Sequence, residues 1–360
     1  MEMKKIAAFT VAALAGAANA QSPVEGVQIY GVMDAALTYV SNVNGSSRKA
    51  LDSGGASSSR LGFRGTEDLG GGMSAVFTLE TGVDVSTGAA GPGTSFWSRE
   101  STVGLSSMSW GTIRLGRQND FLNTDMGVPD SAPIIQGGAA AGYAGFGRHA
   151  DMPPGPPPPV DVHFGGYQYD RSVKWMKKFD SVTTGIMYGL GSGNGDDKMV
   201  SLLLNYSSGP LSLAAGYTKD NFTTAVFARE VFALKGMYVT GPWMFLANYA
   251  VGKDPTSEAR NKPLELTVAY NVSPQLRVGG GIGYSKATNT TGGEATITQP
   301  FVGVKYNLSR RTHLYGSASF NKTSDRSVVP ASVGSPGGAV GGVSTSDSMT
   351  AVRFGIQHRF

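Results

Sequence analysis

The sequence predicts an all-β fold, a sixteen-stranded antiparallel transmembrane β-barrel. Apolar and polar residues alternate with a period of two over repeated segments of about ten residues, which indicates strands rather than helices. The polar faces of these segments carry charge, and short turns alternate with longer loops along the chain. A packed soluble core would not tolerate such charged faces, whereas a barrel that is apolar outside and wet inside accommodates both faces.

The first segment shows the alternation most plainly. From Val27 to Tyr39, apolar or small side chains occupy the odd positions, and polar Gln28, Asp34 and Thr38 occur among the even ones. Several apolar faces include aromatic residues near their ends, as belts at a lipid–water boundary do. The same alternation recurs in later segments that begin near Met73, Leu202, Trp243, Leu264 and Val352.

The connections between segments predict the topology. Five segments precede Asp120 and eleven follow Tyr167, so both ends of the barrel chain lie on the side of the short turns. Sixteen antiparallel strands enclose an aqueous lumen rather than a packed interior. Tight turns are expected at Lys178–Val182, Ser207–Pro210, Val239–Pro242, Asn271–Gln275 and Leu308–Thr312.

Residues 1–20 have the pattern of a cleavable signal peptide. Two lysines precede the apolar stretch Ile6–Ala18, and Ala18-Asn19-Ala20 has the small-x-small form of a cleavage site. The apolar stretch is too short to span about 30 Å of hydrocarbon as a helix, which disfavours the alternative of an N-terminal membrane anchor. We therefore expect an exported mature chain, residues 21–360, that forms a single barrel.

Composition excludes several classes of function. The chain has no Cys, which excludes disulfides, thiolate metal sites and cysteine nucleophiles. The formal charge is +4, and loss of two lysines and one glutamate with residues 1–20 leaves +3, which is too small and too dispersed for nucleic-acid binding. We expect neither a metal nor a cofactor, because no two of the four histidines lie at ligand spacing. These are His149, His163, His313 and His358.

The parity of a residue, that is, whether it occupies an odd or an even position along its strand, decides which face its side chain takes. Parity assigns several charged side chains to the lumen. Arg60 and Arg64 alternate with lipid-facing Leu61 and Phe63, and Arg114 lies between two lipid-facing residues. An arginine on the lipid face would cost roughly 2–4 kcal/mol at the midplane, so these three are expected to point inwards. For each arginine, a solvated charge at the rim is the alternative.

Five motifs carry a family resemblance: Val27–Ala35, Ser59–Gly72, Val103–Ser106, Trp110–Gln118 and Gly355–Phe360. Together they resemble the general diffusion porins of beta-proteobacteria, and the resemblance is strongest over residues 24–120 and at the C-terminus. It implies a homotrimeric porin of the cell outer membrane, in contact with lipid and lipopolysaccharide, that has no enzymatic activity. It also implies a water-filled channel for passive diffusion of ions and small hydrophilic solutes, often with a preference for anions.

The third loop, about residues 119–166, departs from the family pattern. It is about 48 residues long, far beyond a usual connection, and it contains a proline-rich run at 153–159 that is stiff in the polyproline II conformation. The resemblance implies that this loop folds into the pore. Its glycine-, alanine- and aromatic-rich middle, Gly137–Phe146, favours packing on the barrel wall. A loop that projects outside the barrel is the alternative.

The resemblance also implies a constriction ringed by arginines of the second strand, the fourth strand and the third loop. Such rings favour anions. Arg99 shares the parity of lipid-facing Val103 and Leu105, so it is expected at a rim or beyond a bulge. The residues expected at the constriction are Arg60, Arg64, Arg99, Arg114 and Arg148, with Glu80, Asp120, Asp125 and Asp130 as acidic partners that set a transverse field across the pore.

Two other classes of function fit the sequence less well than a general porin. A substrate-specific channel would show a track of lumen aromatics, for which Tyr30 and Tyr315 are too few. An outer-membrane hydrolase would need a nucleophile, a base and an orienting group, and the histidines present no such constellation. A calcium site at Asn194–Asp197 is a weak alternative to an ordinary turn.

The C-terminal segment, Val352–Phe360, alternates like the others and ends on an aromatic residue. It must pair with the first segment, because unpaired strand edges are not tolerated in lipid. The resemblance implies that the outer-membrane insertion machinery reads Phe360 as an assembly signal; an ordinary belt aromatic is the alternative. Gly31 and Ala35 face outwards on the first segment, and such small residues favour close approach of a neighbouring barrel.

Overall fold

A computed structural model describes residues 26–90, 95–124, 168–191, 198–221, 229–255, 257–331 and 343–360. In these ranges the chain forms seventeen strands and one short helix, α1 (Phe121–Thr124). The strands are β1 (Gly26–Val43), β2 (Ser46–Ser53), β3 (Arg60–Gly70), β4 (Met73–Gly82), β5 (Glu100–Ser107), β6 (Gly111–Asn119), β7 (Gln168–Phe179), β8 (Val182–Gly189), β9 (Met199–Ser208), β10 (Leu211–Asp220), β11 (Arg229–Thr240), β12 (Trp243–Lys253), β13 (Arg260–Asn271), β14 (Leu276–Thr288), β15 (Glu294–Asn307), β16 (Thr312–Thr323) and β17 (Ser348–Arg359).

Two of the strands, β2 and β3, together form the second strand of the barrel. β3 pairs with the first half of β1, as far as Val32, and β2 pairs with its second half, from Ala35 onwards. The two therefore lie end to end, separated by residues 54–59. The last strand, β17, pairs with the opposite edge of β1, and every pairing between neighbouring strands is antiparallel. The predicted closed barrel of sixteen antiparallel strands is confirmed.

Short turns join neighbouring strands on one side of the barrel and longer connections do so on the other, except that the two-residue turn Asn44-Gly45 joins β1 to β2. Turns of two to four residues join β3 to β4, β5 to β6 and each later pair of strands on that side, including all five predicted turns. β1 begins and β17 ends on the same side as these turns. The interrupted second strand is the feature that sequence reasoning missed, because the small-residue run at 54–59 reads as an ordinary loop.

The predicted alternation of faces is confirmed. On β13, Leu266 is 48% exposed, whereas its neighbour Glu265 is 4% exposed, so the apolar face is the outer one. No helix in the described ranges has the length and apolar composition needed to cross a bilayer. Exposed aromatic residues near the turns form a belt: Phe179, Tyr206, Tyr238, Trp243, Tyr306 and Phe360.

Some sequence-based predictions lie outside the described residues. These are the signal peptide (1–20), the third loop beyond α1 and the suggested calcium-binding turn (194–197).

The barrel closes where the last residue meets the first strand. The Gly31 N–H donates to the Phe360 carbonyl at 3.1 Å, and the Phe360 N–H donates to the Gly31 carbonyl at 3.2 Å. A Cβ atom on Gly31 would lie 2.5 Å from the Phe360 ring, so glycine lets this ring cover the seam. The ring itself is 40% exposed on the outer surface and lies stacked beside His358.

We expect that deletion of Phe360 will sharply reduce insertion into the outer membrane in cells, with a much smaller effect on refolding into detergent. A recognition signal acts during assembly, whereas a belt residue contributes only to the stability of the finished barrel. The measurement is the amount of folded protein in outer-membrane fractions and in detergent refolding. Phe179→Ala, which removes an aromatic residue from the same rim, is the control. Equal losses in both assays would show that Phe360 is only a belt residue.

Candidate functional site: the charged inner wall

A cluster of four polar side chains lies on the inner wall formed by β1, β3 and β4, with Glu80 at its centre. Glu80 Oε1 accepts a hydrogen bond from Arg99 Nε at 2.6 Å. Glu80 Oε2 accepts one from the Tyr30 hydroxyl at 3.0 Å and lies 3.5 Å from Arg60 Nε. The side chains of Arg60 and Arg99 remain 25% and 23% exposed, so the wall does not enclose either of them completely.

The local sequence explains how these groups meet. Arg60 begins β3 directly after the interruption at 54–59, and Arg99 immediately precedes β5. The Arg99 N–H donates to the Glu80 carbonyl at 3.1 Å, which fixes its backbone beside β4. A Cβ atom on Gly62 would lie 2.4 Å from the Tyr30 ring, so glycine leaves the space through which Tyr30 reaches Glu80.

The other described arginines of the predicted set lie on the same side of the barrel but outside this cluster. Arg114 Nη1 donates to Glu100 Oε1 at 3.0 Å. Arg64 Nε donates to Gln28 Oε1 at 3.1 Å, and its guanidinium lies 5.1 Å from the centroid of the Tyr30 ring. The arginines therefore form a band that follows the inner wall from β3 to β6.

The acidic residues are placed differently from the prediction. Glu80 faces its arginines on one wall rather than across the pore, so this part of the predicted transverse field is wrong. Asp120 does not reach the cluster at all: it is fully buried, and its carboxylate accepts a hydrogen bond from Thr218 at 3.0 Å. Arg148, Asp125 and Asp130 lie outside the described residues.

Asp120 instead belongs to the anchor of the third loop. Thr218 and Ser201 share a hydrogen bond of 2.8 Å, and the Ser201 hydroxyl accepts the Phe121 N–H at 3.3 Å. These contacts tie the first residues of the loop to β9 and β10. Sequence reasoning could not find this role, because it depends on strands almost a hundred residues further along the chain.

α1 turns the beginning of the third loop into the barrel. Phe121 and Leu122 are fully buried in a cluster with the inward-facing side chains Met187 and Leu203. A Cβ atom on Gly185 would lie 2.3 Å from the Phe121 ring, so this glycine makes room for the ring against the wall. The first residues of the loop therefore lie on the inner side of the barrel.

Sequence reasoning missed several inward-facing cations. Each lies on a strand at the parity opposite to the exposed apolar residues, so the alternation rule could have found them. Within the described ranges, no three His, Asp or Glu side chains come together as a metal site. The missed cations are Arg48, Lys174, Lys235 and Lys305.

An apolar outer belt, a charged inner wall and sixteen closed strands define an outer-membrane channel. A family profile described as Gram-negative porin matches residues 7–326. The chain belongs to the Gram-negative porin family, which confirms the prediction from its motifs.

Individual relatives agree with this assignment. The chain is 30% identical over 382 residues to outer membrane porin protein 32 of Delftia acidovorans, with 99% of each chain covered. It is 28% identical over 362 residues to a major outer membrane protein P.IB of Neisseria gonorrhoeae, with 91% of this chain and 97% of the relative covered.

Solved structures share the fold. An anion-selective porin from Comamonas acidovorans superimposes with a TM-score of 0.72 at 24% identity, covering 93% of this chain and 99% of the other. The trimer form of OmpT from Vibrio cholerae gives a TM-score of 0.66 at 14% identity, with 93% and 99% covered. The protein is thus a porin of the outer membrane, a water-filled channel through which small hydrophilic solutes diffuse passively.

We expect Glu80→Gln to raise the permeability of the channel to anions relative to cations. The change removes the only carboxylate that Arg60 and Arg99 share in the described cluster, so their charge acts more strongly on the lumen. The measurement is the reversal potential across a planar bilayer in a salt gradient. Glu67→Gln, which removes an exposed carboxylate outside the lumen, is the matched control. An equal shift in both variants would mean that Glu80 has no special influence on the pore.

Proposed function

We propose that the channel prefers anions. The observation that carries this proposal is the excess of positive charge in the cluster, where two partly exposed arginine side chains share the single carboxylate of Glu80. Arginines around a pore favour anions because they lower the electrostatic energy of a passing negative charge. Arg64 extends the positive charge along the wall, where its neighbours are the uncharged side chains of Gln28 and Tyr30. The anion-selective porin from Comamonas acidovorans, which shares the fold, supports the same direction of selectivity.

Simultaneous replacement of Arg60 and Arg99 by glutamine should move the reversal potential toward that of a cation-preferring channel. Glu80 then remains as an uncompensated negative charge in the same place. The reversal potential in a salt gradient measures this directly. Arg310→Gln with Arg311→Gln, which removes the same charge from an exposed turn, is the control. An unchanged reversal potential in a well-folded Arg60/Arg99 double variant would refute the proposed role of the cluster.

We also propose that the third loop constricts the pore. Its first turn already lies on the inner side of the barrel, where Phe121 and Leu122 are fully buried. The hydrogen bonds from Thr218 to Asp120 and from the Phe121 N–H to Ser201 hold that turn in place. Phe121 also makes a cation–π contact, because Lys174 Nζ lies 4.2 Å from the centroid of its ring. A loop of about 48 residues that starts inside the barrel is well placed to narrow it.

Phe121→Ala should increase single-channel conductance and current noise. Replacing a fully buried phenylalanine by alanine removes roughly 3–5 kcal/mol of packing, enough to release the start of the loop from the wall. Single-channel recording in a planar bilayer measures both quantities. Phe320→Ala, on the exposed outer face of β16, is the control and should leave conductance unchanged. Conductance equal to wild type in folded Phe121→Ala protein would argue against a constricting loop.

We further propose that the protein is a homotrimer. The family resemblance and the trimer form of the Vibrio cholerae structure support this assembly. The outward-facing small residues are a weaker argument than the sequence suggested. The Phe360 ring covers Gly31, which leaves Ala35 as the small residue on this part of the outer wall.

Electrophoresis of unheated protein should show a band at the mass of three chains that converts to the monomer on heating. Barrels held by apolar contacts in detergent separate only when heat disrupts those contacts. Chemical cross-linking before denaturation provides an independent measurement. Only monomer in both experiments would contradict the trimer.

The remaining proposals concern export and surroundings. We propose that residues 1–20 are removed on export and that the outer-membrane insertion machinery recognises β17 with Phe360. The exposed apolar face of the strands supports contact with lipid and with the acyl chains of lipopolysaccharide.

A further inference from the structure

Between Val32 and Ala35, the edge of β1 that faces β2 and β3 has no partner strand. Val32 pairs with Arg60 of β3 and Ala35 pairs with Ser53 of β2, so Asp34 lies opposite residues 54–59, here called the inner segment. The Asp34 carbonyl accepts hydrogen bonds from the Gly54 N–H at 2.8 Å and from the Ser59 hydroxyl at 3.0 Å. The inner segment therefore supplies backbone contacts that a continuous second strand would otherwise make.

The side chain of Asp34 collects four further donors. Its Oδ1 accepts the Tyr315 hydroxyl of β16 at 2.6 Å. Its Oδ2 accepts Gln357 Nε2 of β17 at 2.8 Å and the N–H groups of Ala56 and Ser57 at 3.2 and 3.0 Å. One fully buried carboxylate thus joins the inner segment to the seam at which the barrel closes.

The inner segment is built from residues small enough to lie against the wall. A Cβ atom on Gly55 would lie 2.4 Å from both the Ala36 Cβ atom and the Tyr315 hydroxyl. Gly54 has a φ of 75°, in the left-handed region that favours glycine. Ala56 is 1% exposed and packs with Ala36 and Tyr315. The segment therefore lies inside the barrel, on inward-facing residues.

The inner segment also holds the first arginine of the cluster. Arg60 Nη1 donates to the Ser57 hydroxyl at 3.3 Å and to the Ser58 carbonyl at 3.0 Å, while its Nε lies beside Glu80. Contacts therefore run from Asp34 through the inner segment to Arg60. Asp34 itself is fully buried and makes no contact with the lumen.

We propose that Asp34 is a positioning residue for the pore: it keeps the inner segment inside the barrel, and thereby sets the width of the channel and the place of Arg60. The part that concerns Arg60 rests on the proposed anion preference, whereas the part that concerns width does not. The buried carboxylate is tolerated here because four hydrogen bonds satisfy it.

The position of the inner segment can be tested by thiol labelling, because the chain has no Cys. An Ala56→Cys variant should be inert to a water-soluble maleimide in the wild-type background and reactive when combined with Asp34→Ala. Asp34→Asn should stay inert, since its amide oxygen can accept from Gln357 and the segment while its NH₂ group donates to Tyr315. Ser86→Cys, in an exposed loop, should react in every background.

Channel recordings supply the second readout. Asp34→Ala should raise single-channel conductance, because the inner segment leaves its place in the lumen. It should also move the reversal potential toward zero, the value of a nonselective channel, because Arg60 is no longer fixed. Heat stability of the folded barrel is measured alongside. A purely structural role would lower that stability without changing either property of the open channel.

The outcomes separate the two proposals. If the wild-type channel shows no anion preference, the proposed function fails, but labelling and conductance still report on the inner segment. If the wild type prefers anions and folded Asp34→Ala changes neither labelling nor conductance, this inference alone is overturned. Should Asp34→Ala not fold, Asp34→Ser and Gly55→Ala replace it. Unchanged labelling and conductance in those two variants would overturn the inference equally.

Discussion

The structure depends on one constraint: in lipid, every backbone N–H and C=O group must find its partner within the protein. A sheet meets that constraint only by closing on itself, so β17 must pair with β1. The seam is completed by the chain end, where Gly31 and Phe360 exchange two hydrogen bonds. The alternation of faces follows from closure, because one side of every strand then meets lipid and the other meets the lumen.

The same constraint explains the inner segment. Where β2 and β3 are interrupted, the backbone of Asp34 would lack a partner, and Gly54 and Ser59 supply it. A polar carboxylate at this point can serve the wall and the segment together, since donors approach it from β16, from β17 and from residues 54–59. An irregular backbone is tolerated at membrane depth because it lies against protein on the inner side of the barrel.

On the wall from β3 to β6, arginines and carboxylates form local ion pairs in which positive charge is in excess. Glu80 holds Arg60 and Arg99 at fixed positions on one wall, and Arg114 has its own carboxylate in Glu100. Each arginine thus gains a defined geometry while its side chain stays partly exposed. On another part of the wall, α1 fixes the first residues after β6 on the inner side by burying Phe121 and Leu122. The wall therefore contributes both the charge and the anchor of these first loop residues.

The sequence by itself determined the strand number, the short turns, the inward direction of Arg60, Arg64 and Arg114, and the family, because each follows from period-two alternation or a contiguous motif. Only the tertiary structure decided which charges meet. Glu80 joins Arg99 across a pair of neighbouring strands, Asp120 joins Thr218 from ninety-eight residues away, and Asp34 joins Gln357 across the closing seam. Parity assigns a side chain to a face but not to a partner. The partner is set by strand register and by where irregular segments enter the lumen, and both depend on closure of the whole barrel.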